Sequence, residues 1–371
     1  MSMPRRVGFF LAILVVPCSV FAGDLTPPAG PVLPTPGPEP RTPIDAVHTP
    51  GDATALFIIS QAGSYYLTGP VNGVSGKAGI RVAASNVTID LMGYTLKGVA
   101  GSTDGITLPT SGILNTVIRN GTVSSWGQDG IDVQLGTEAR IEDVAAFGNT
   151  SRGIQVGQTG VIVRCTASTN GSIGFFTSTA CTISESTARI NGGDGFSLGA
   201  RSVIRGCTAS ANVGAGISLG TGAGAWQCTS SGSTAGSGIV TAAAAIIVGC
   251  NASGNALNGI DATSDCVIQG NICDSNGSAV ADGSGIRITN TDNRIEGNNC
   301  TDNDIGIHVI ASGNLIIRNS CSGNTGGNWD LVANNVYGTI VDRTAPASPA
   351  VTTDSAASTL GSTDANANWT Y

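Results

Sequence analysis

The sequence predicts an all-β solenoid, a parallel β-helix of about 11–12 rungs with three short strands per rung. Three observations predict it. The first is a fixed period: Ile183, Ser186, Asn191, Gly195 and Phe196 recur 21 residues later as Ile204, Cys207, Asn212, Gly216 and Ile217. The second is a Gly-apolar pair that marks each turn. Gly79-Ile80, Gly105-Ile106, Gly130-Ile131, Gly153-Ile154, Gly174-Phe175 and Gly195-Phe196 are followed by Gly216-Ile217, Gly238-Ile239, Gly259-Ile260, Gly285-Ile286 and Gly306-Ile307, at spacings of 21 to 26 residues. The third is composition. Charged residues make up 11% of the chain and apolar ones 41%, with 53 glycines and many β-branched residues in short runs. Such a chain suits strands around a long, thin core better than helices.

Residues 1–22 read as a secretory signal peptide. Arg5 and Arg6 supply the charge, residues 7–16 the apolar run, and Val20-Phe21-Ala22 the cleavage site. The apolar run is too short to span a bilayer. The protein is therefore expected to be secreted, periplasmic or on the cell surface, with no membrane insertion. Cleavage would leave 15 basic and 25 acidic side chains. That balance argues against nucleic acid and acidic membrane surfaces as partners.

Residues 23–51 read as a Pro-rich linker, with nine prolines between positions 24 and 50. Residues 52–342 are the expected β-helix. Its first part, residues 52–75, is assigned as a cap, because an open first rung would recruit other chains. Residues 343–371 read as a loose tail whose Trp369 and Tyr371 fold back on the last rung.

Within each turn two further strands are expected. One is an Ile/Val run, as at residues 161–163, 202–204, 246–248 and 315–317; the other lies just beyond it, as at residues 165–167. Asn149, Asn170, Asn191, Asn212, Asn255, Asn276, Asn303 and Asn324 share one turn position, with Ser233 as the exception. Asn271, Asn298 and Asn319 share a second. Both series read as structural ladders, since Asn bonds readily to nearby backbone. The cysteines track the repeat as well. Cys165, Cys207, Cys228 and Cys250 share one column, and Cys273, Cys300 and Cys321 another. They read as reduced, buried core stacks.

With residues 63–98 (GSYYLTGPVNGVSGKAGIRVAASNVTIDLMGYTLKG), these features resemble the right-handed parallel β-helix repeat proteins of the pectate-lyase-like superfamily, in their exported bacterial form. The resemblance covers about residues 52–342. It implies a right-handed coil. Members include lyases, hydrolases, esterases and epimerases acting on polysaccharides, and proteins without assigned chemistry. Their catalytic patterns do not carry over. No adjacent aspartate pair is followed by His-Gly, and no clustered aspartates accompany an Arg-x-Pro-x-x-Arg run.

Chemistry is expected on the outward residues that follow each Gly-apolar pair. In order these are Arg81, Thr107, Asp132, Gln155, Phe176, Ser197, Ser218, Val240, Asp261, Arg287, His308 and Asp330. The last four place an acid, an Arg, a His and an acid on consecutive rungs. As a catalytic set, Arg287 would bind a uronate carboxylate and His308 would act as general acid or base. Asp261, Asp330 and Asp282, the last in a long loop beside Arg287, would orient the His or hold Ca²⁺. The bland alternative is a ladder of surface ion pairs. Phe176 and Trp226 are expected to project outward, where either ring would stack on sugars. A weaker cluster combines Asp104, Asp129, Asp132 and Gln134 with Trp126 nearby. No cofactor is required, and only His48 and His308 occur as imidazole ligands. The expected function is an exported, non-catalytic scaffold that binds glycans or serves adhesion. The alternative is a lyase or epimerase acting on uronate-rich polysaccharide.

Overall fold

The structure, a computed structural model, describes residues 41–278, 283–342 and 363–371. The predicted signal peptide, most of the predicted linker, Asp282 and residues 343–362 lie outside the described residues. Among the described residues there are strands and turns and no helix.

Thirteen parallel strands, from Ala55–Ile59 to Gly327–Leu331, form one face sheet. The solenoid is thus one to two rungs longer than the Gly-apolar count implies, because the first and last rungs lack that pair. The second and third strands of each turn join a second sheet of 26 strands. One rung runs Phe175–Thr177, Thr182–Ser184, Thr187–Arg189, and the next repeats it in register.

Three inward columns make the core. The face sheet contributes Ile131, Ile154, Phe175, Phe196, Ile217, Ile239, Ile260, Ile286 and Ile307, all at 0% exposure. Ile118, Ile141, Ile162, Ile183 and Ile204 line the second wall. Small residues, among them Ala146, Ala167, Ala188, Ala209 and Ala252, line the third and give way to Cys273, Cys300 and Cys321. Large side chains on two walls against small ones on the third fill a narrow cross-section at each level, with few voids. Phe175 and Phe196 stack with ring centroids 4.9 Å apart.

The glycine column has a steric cause. A Cβ on Gly105 would stand 2.4 Å from the Gly130 carbonyl oxygen, and one on Gly195 would stand 2.7 Å from that of Gly216. The backbone leaves no room for a side chain where successive rungs turn past the Asn ladder.

That ladder is continuous over long runs. Asn170 Nδ2 donates to Asn191 Oδ1 at 3.0 Å, and Asn191 Nδ2 to Asn212 Oδ1 at 2.9 Å. In the second bend, Asn and Cys fill the same slot. Cys228 N–H donates to Cys250 Sγ at 3.5 Å, and Cys250 N–H to Asn271 Oδ1 at 2.8 Å. All nine described cysteines are free and buried.

The N-terminal cap sits earlier than residues 52–75. Strands Ala55–Ile59 and Gly63–Leu67 form a full first rung, and residues 41–51 cover it. Strand Thr42–Ile44, inside the segment read as linker, pairs with Gly63–Leu67, and Pro50 bridges antiparallel to Phe57. The buried Asp90 carboxylate fastens this cap. Arg41 lies 3.4 Å from it and Arg119 3.3 Å.

Trp369 and Tyr371 fold back as expected, but their segment is an ordered strand and not loose. Strand Asn368–Thr370 is built into the second sheet, between Ser320–Ser322 and Ile340–Asp342.

Candidate functional site

The face sheet presents one unbroken outward column. Arg81, Thr107, Asp132, Gln155, Phe176, Ser197, Ser218, Val240, Asp261, Arg287, His308 and Asp330 are successive pairing partners. Parallel pairing without register slip places them there, since alternate residues of a strand share a face.

At the C-terminal end the four groups meet as two pairs. Arg287 Nη1 lies 3.4 Å from Asp261 Oδ1, and His308 Nε2 lies 3.3 Å from Asp330 Oδ2. Asn258 Nδ2 also donates to Asp261, at 3.2 Å. Burial pushes the Asp261 carboxyl above its ordinary range, with Arg287 pulling it back. His308 is largely covered, and its Nδ1 is buried without a partner among the described residues. Asp261 and Asp330 do not share a Ca²⁺ site. Three rungs separate them, about 14 Å at sheet spacing. No three His, Cys, Asp or Glu side chains converge as a metal cluster among the described residues.

The two predicted aromatic contacts separate. Phe176 lies in the face column, whereas Trp226 lies on the second sheet between Arg205 and Val248. The Trp226 ring folds back over its own strand. A Cβ on Gly224 would stand 2.1 Å from ring atom Cη2, which accounts for glycine where neighbouring rungs carry Val203 and Ile246.

The N-terminal half holds a denser polar group. Asp132 Oδ1 accepts from Gln134 N–H and from Gln155 Nε2, each at 3.1 Å. Gln155 is only 2% exposed. Its Nε2 also donates to Gln134 Oε1, and its Oε1 accepts from Arg152 Nη1. The Arg152 guanidinium carbon stands 4.8 Å from the Phe176 ring centroid, a cation–π distance. Asp104 Oδ1 accepts from Asp129 N–H at 3.0 Å, and Asp129 Oδ1 from Arg152 N–H at 2.7 Å. Asp194 does the same for Ala215 at 2.8 Å. These aspartates therefore tie rung to rung, as their shared turn position implies. Burial lifts the Asp104 carboxyl from 3.8 to about 6, and the charges of Asp132 and Asp129 add to the effect. Asp132 is raised too, chiefly by burial. Trp126 takes no part. It is fully buried and donates to the Leu96 carbonyl at 3.1 Å.

Sequence reasoning missed Arg152. It occupies the pre-glycine position held by Asp129 and Asp104 one and two rungs earlier, so the same register contained the signal.

These features define a repeat protein of the solenoid class, and comparisons with known proteins specify which. The family description "Right handed beta helix region" matches residues 72–235. The A-module of mannuronan C-5 epimerase AlgE6 from Azotobacter vinelandii superposes with a TM-score of 0.58 at 16% identity, over 74% of this chain and 89% of that one. The tailspike protein of E. coli bacteriophage HK620, solved in complex with a pentasaccharide, gives 0.56 at 11% identity, over 76% and 64%. The Dettilon tailspike gives 0.51 at 17% identity, over 74% and 58%. At these identities the likeness concerns the fold. No curated protein sequence matches the chain. The chain has the right-handed parallel β-helix fold, and the family description covers its residues 72–235.

Proposed function

We propose that this protein is an exported, non-catalytic β-helix that binds a glycan along the outward column of its face sheet. One observation carries the reading. Phe176, partly exposed, lies in register one rung before the hydroxyl of Ser197, with Arg152 beside its ring. An aromatic ring beside a guanidinium and a hydroxyl suits a sugar ring, which is apolar on its C–H faces and polar at its rim. Two rungs after Ser218 the column becomes charged, and there Arg287 would take a uronate carboxylate, with His308 beside it. The likeness to a mannuronan epimerase module and to a tailspike solved with a pentasaccharide supports a carbohydrate role on this fold.

The test is a glycan array with residues 23–371, with and without Ca²⁺, repeated with Phe176→Ala, Arg287→Ala and His308→Ala. A hit weakened about tenfold or more by Phe176→Ala is the expected result, equivalent to about 1.4 kcal/mol. Loss with Arg287→Ala or His308→Ala on uronate glycans alone would assign the charged end as the carboxylate subsite. Silence across the array overturns the reading.

One observation favours an enzyme instead. Asp104, its carboxyl lifted to about 6, stands among carboxylates, and a carboxyl raised toward neutrality is what glycosidic bond cleavage requires of its general acid. Shortened or unsaturated products from a bound polysaccharide, abolished by Asp104→Asn, would establish that second reading.

A further inference from the structure

The C-terminal end breaks the solenoid's own order. In earlier turns each third strand lies on the third strand of the turn before, as Ser320–Ser322 lies on Asn299–Thr301. Strand Ile340–Asp342 should continue the series. Instead Asn368–Thr370 is wedged in, parallel to both neighbours. Ser320 pairs with Trp369 and Cys321 with Thr370 on one side. Ile340, Val341 and Asp342 pair with Asn368, Trp369 and Thr370 on the other.

The second-bend ladder explains the wedge. Asn271, Asn298 and Asn319 stack through it, and one regular turn of 21 residues on, position 340 is Ile. An Ile side chain offers no acceptor to the Asn319 amide. Asn368 does. Asn319 N–H and Nδ2 donate to its Oδ1 at 2.9 and 3.2 Å, and its own Nδ2 donates to the carbonyls of Ile316 and Gly338 at 3.1 and 3.0 Å. Asn368 is fully buried.

The rest of the C-terminal peptide is also read by specific partners. Arg318 donates through its backbone N–H to Asn366 O at 3.2 Å and through Nη2 to Asn366 Oδ1 at 3.1 Å. Trp329 Nε1 donates to Thr370 Oγ1 at 2.7 Å, and Tyr371 OH to Asn299 Oδ1 at 3.3 Å. The partners of Asn368 in the slot, Ile316, Gly338 and Asn319, are 30 to 52 residues away in sequence. Twenty residues, 343–362, separate the outer wall of the slot from the segment that leads back into it. A strand from another copy would meet the same ladder, the same Arg318 and the same two backbone edges.

We propose that the slot between Ser320–Ser322 and Ile340–Asp342 is a strand-acceptor site whose partner is the C-terminal strand of a second copy of this chain. Two chains are then joined by exchange of residues 366–371. Strand addition of this kind takes its affinity from main-chain hydrogen bonds and its specificity from side-chain slots, here the Asn368 slot. Exchange reproduces every contact of the closed form, which makes it a low-cost route to a dimer. A chain's own strand and that of a second copy compete for the slot, so exchange is favoured at high protein density.

The test uses the full chain carrying either Ser320→Cys or Trp369→Cys, two in-register positions that are partly exposed. The variants are mixed at high concentration under oxidising conditions. The expected product is a disulfide-linked pair of chains, lost when excess synthetic peptide of residues 363–371 is present. A single chain carrying both substitutions serves as control, and its internal crosslink with no linked pair in the mixture overturns the proposal. Light scattering on the unsubstituted chain decides independently. A double-mass species that grows with concentration and falls with the peptide supports exchange, and a monomer throughout refutes it.

Discussion

Asn191 donates its side-chain amide to Asn212 at 2.9 Å and receives that of Asn170 at 3.0 Å, so one residue joins three rungs. It also donates to the Ala167 carbonyl and accepts the Asn170 backbone N–H. All of this is buried. Asn191→Ala leaves several buried polar groups without partners, each costing about 1–3 kcal/mol. A loss of about 2–4 kcal/mol in urea unfolding is expected. A loss well under that range would show that the rungs are held by core packing alone.

Gly195→Ala tests the glycine column. The added Cβ would sit 2.7 Å from both Asn212 Nδ2 and the Gly216 carbonyl. Neither neighbour can withdraw without breaking the ladder or the sheet. A cost of about 2–3 kcal/mol is expected, in the range of overpacked cores. It would appear as a lower melting temperature with unchanged circular dichroism below the transition.

Ile190 carries the opposite defect. It sits at a corner with φ of 53°, and its side chain is about half-exposed. The same corner is taken by glycine at Gly232, Gly254 and Gly323. A β-branched residue in the left-handed region is strained by about 1–2 kcal/mol. Ile190→Gly should therefore raise the melting temperature, with a gain of about 1 kcal/mol after the added freedom of the unfolded chain is counted. A lower melting temperature would mean that the exposed side chain packs more than it strains.

Asp104 sets a pH dependence of unusual sign for a carboxylate. Its folded-state value of about 6 lies above the ordinary 3.8. Between these values the folded chain binds more protons than the unfolded one, so stability falls as pH rises and the loss is complete above about pH 6. Asp104→Asn keeps the acceptor for Asp129 N–H and removes the charge. It should stabilise the protein by about 1–2 kcal/mol at pH 7–8 and have little effect near pH 4. Equal effects at both pH values would show that the carboxyl is not held protonated. The measurement is a pair of melting curves for each variant.

Much of the face column was legible from sequence, because it needs only the Gly-apolar register and strand alternation. Asp261, Arg287, His308 and Asp330 follow one another as counted. Their pairing into Arg287–Asp261 and His308–Asp330 follows from the same order, since each acid has one base on the adjacent rung. The Phe176 surroundings were legible only in part. Gln155 was in the counted column, yet its contacts to Asp132, Gln134 and Arg152 depend on rotamers that spacing does not specify. Trp226 also points outward, but from the second sheet, to which the counting of the face column does not extend. Outward on the second sheet is a different direction.

The period, the strand class, the glycine column and the two Asn ladders were determined by the sequence alone, because each follows from residues that recur at the spacing of one turn. The tertiary structure decided how the ends are closed. Residues 41–51 fold back over the first rung through the Arg41–Asp90–Arg119 contact, and Asn368 enters the slot that Ile340 cannot fill. Both depend on partners outside the repeat. A period predicts what each rung gives to the next, and the first and last rungs have no next rung, so their unpaired edges are settled by whichever distant segment supplies the missing hydrogen bonds.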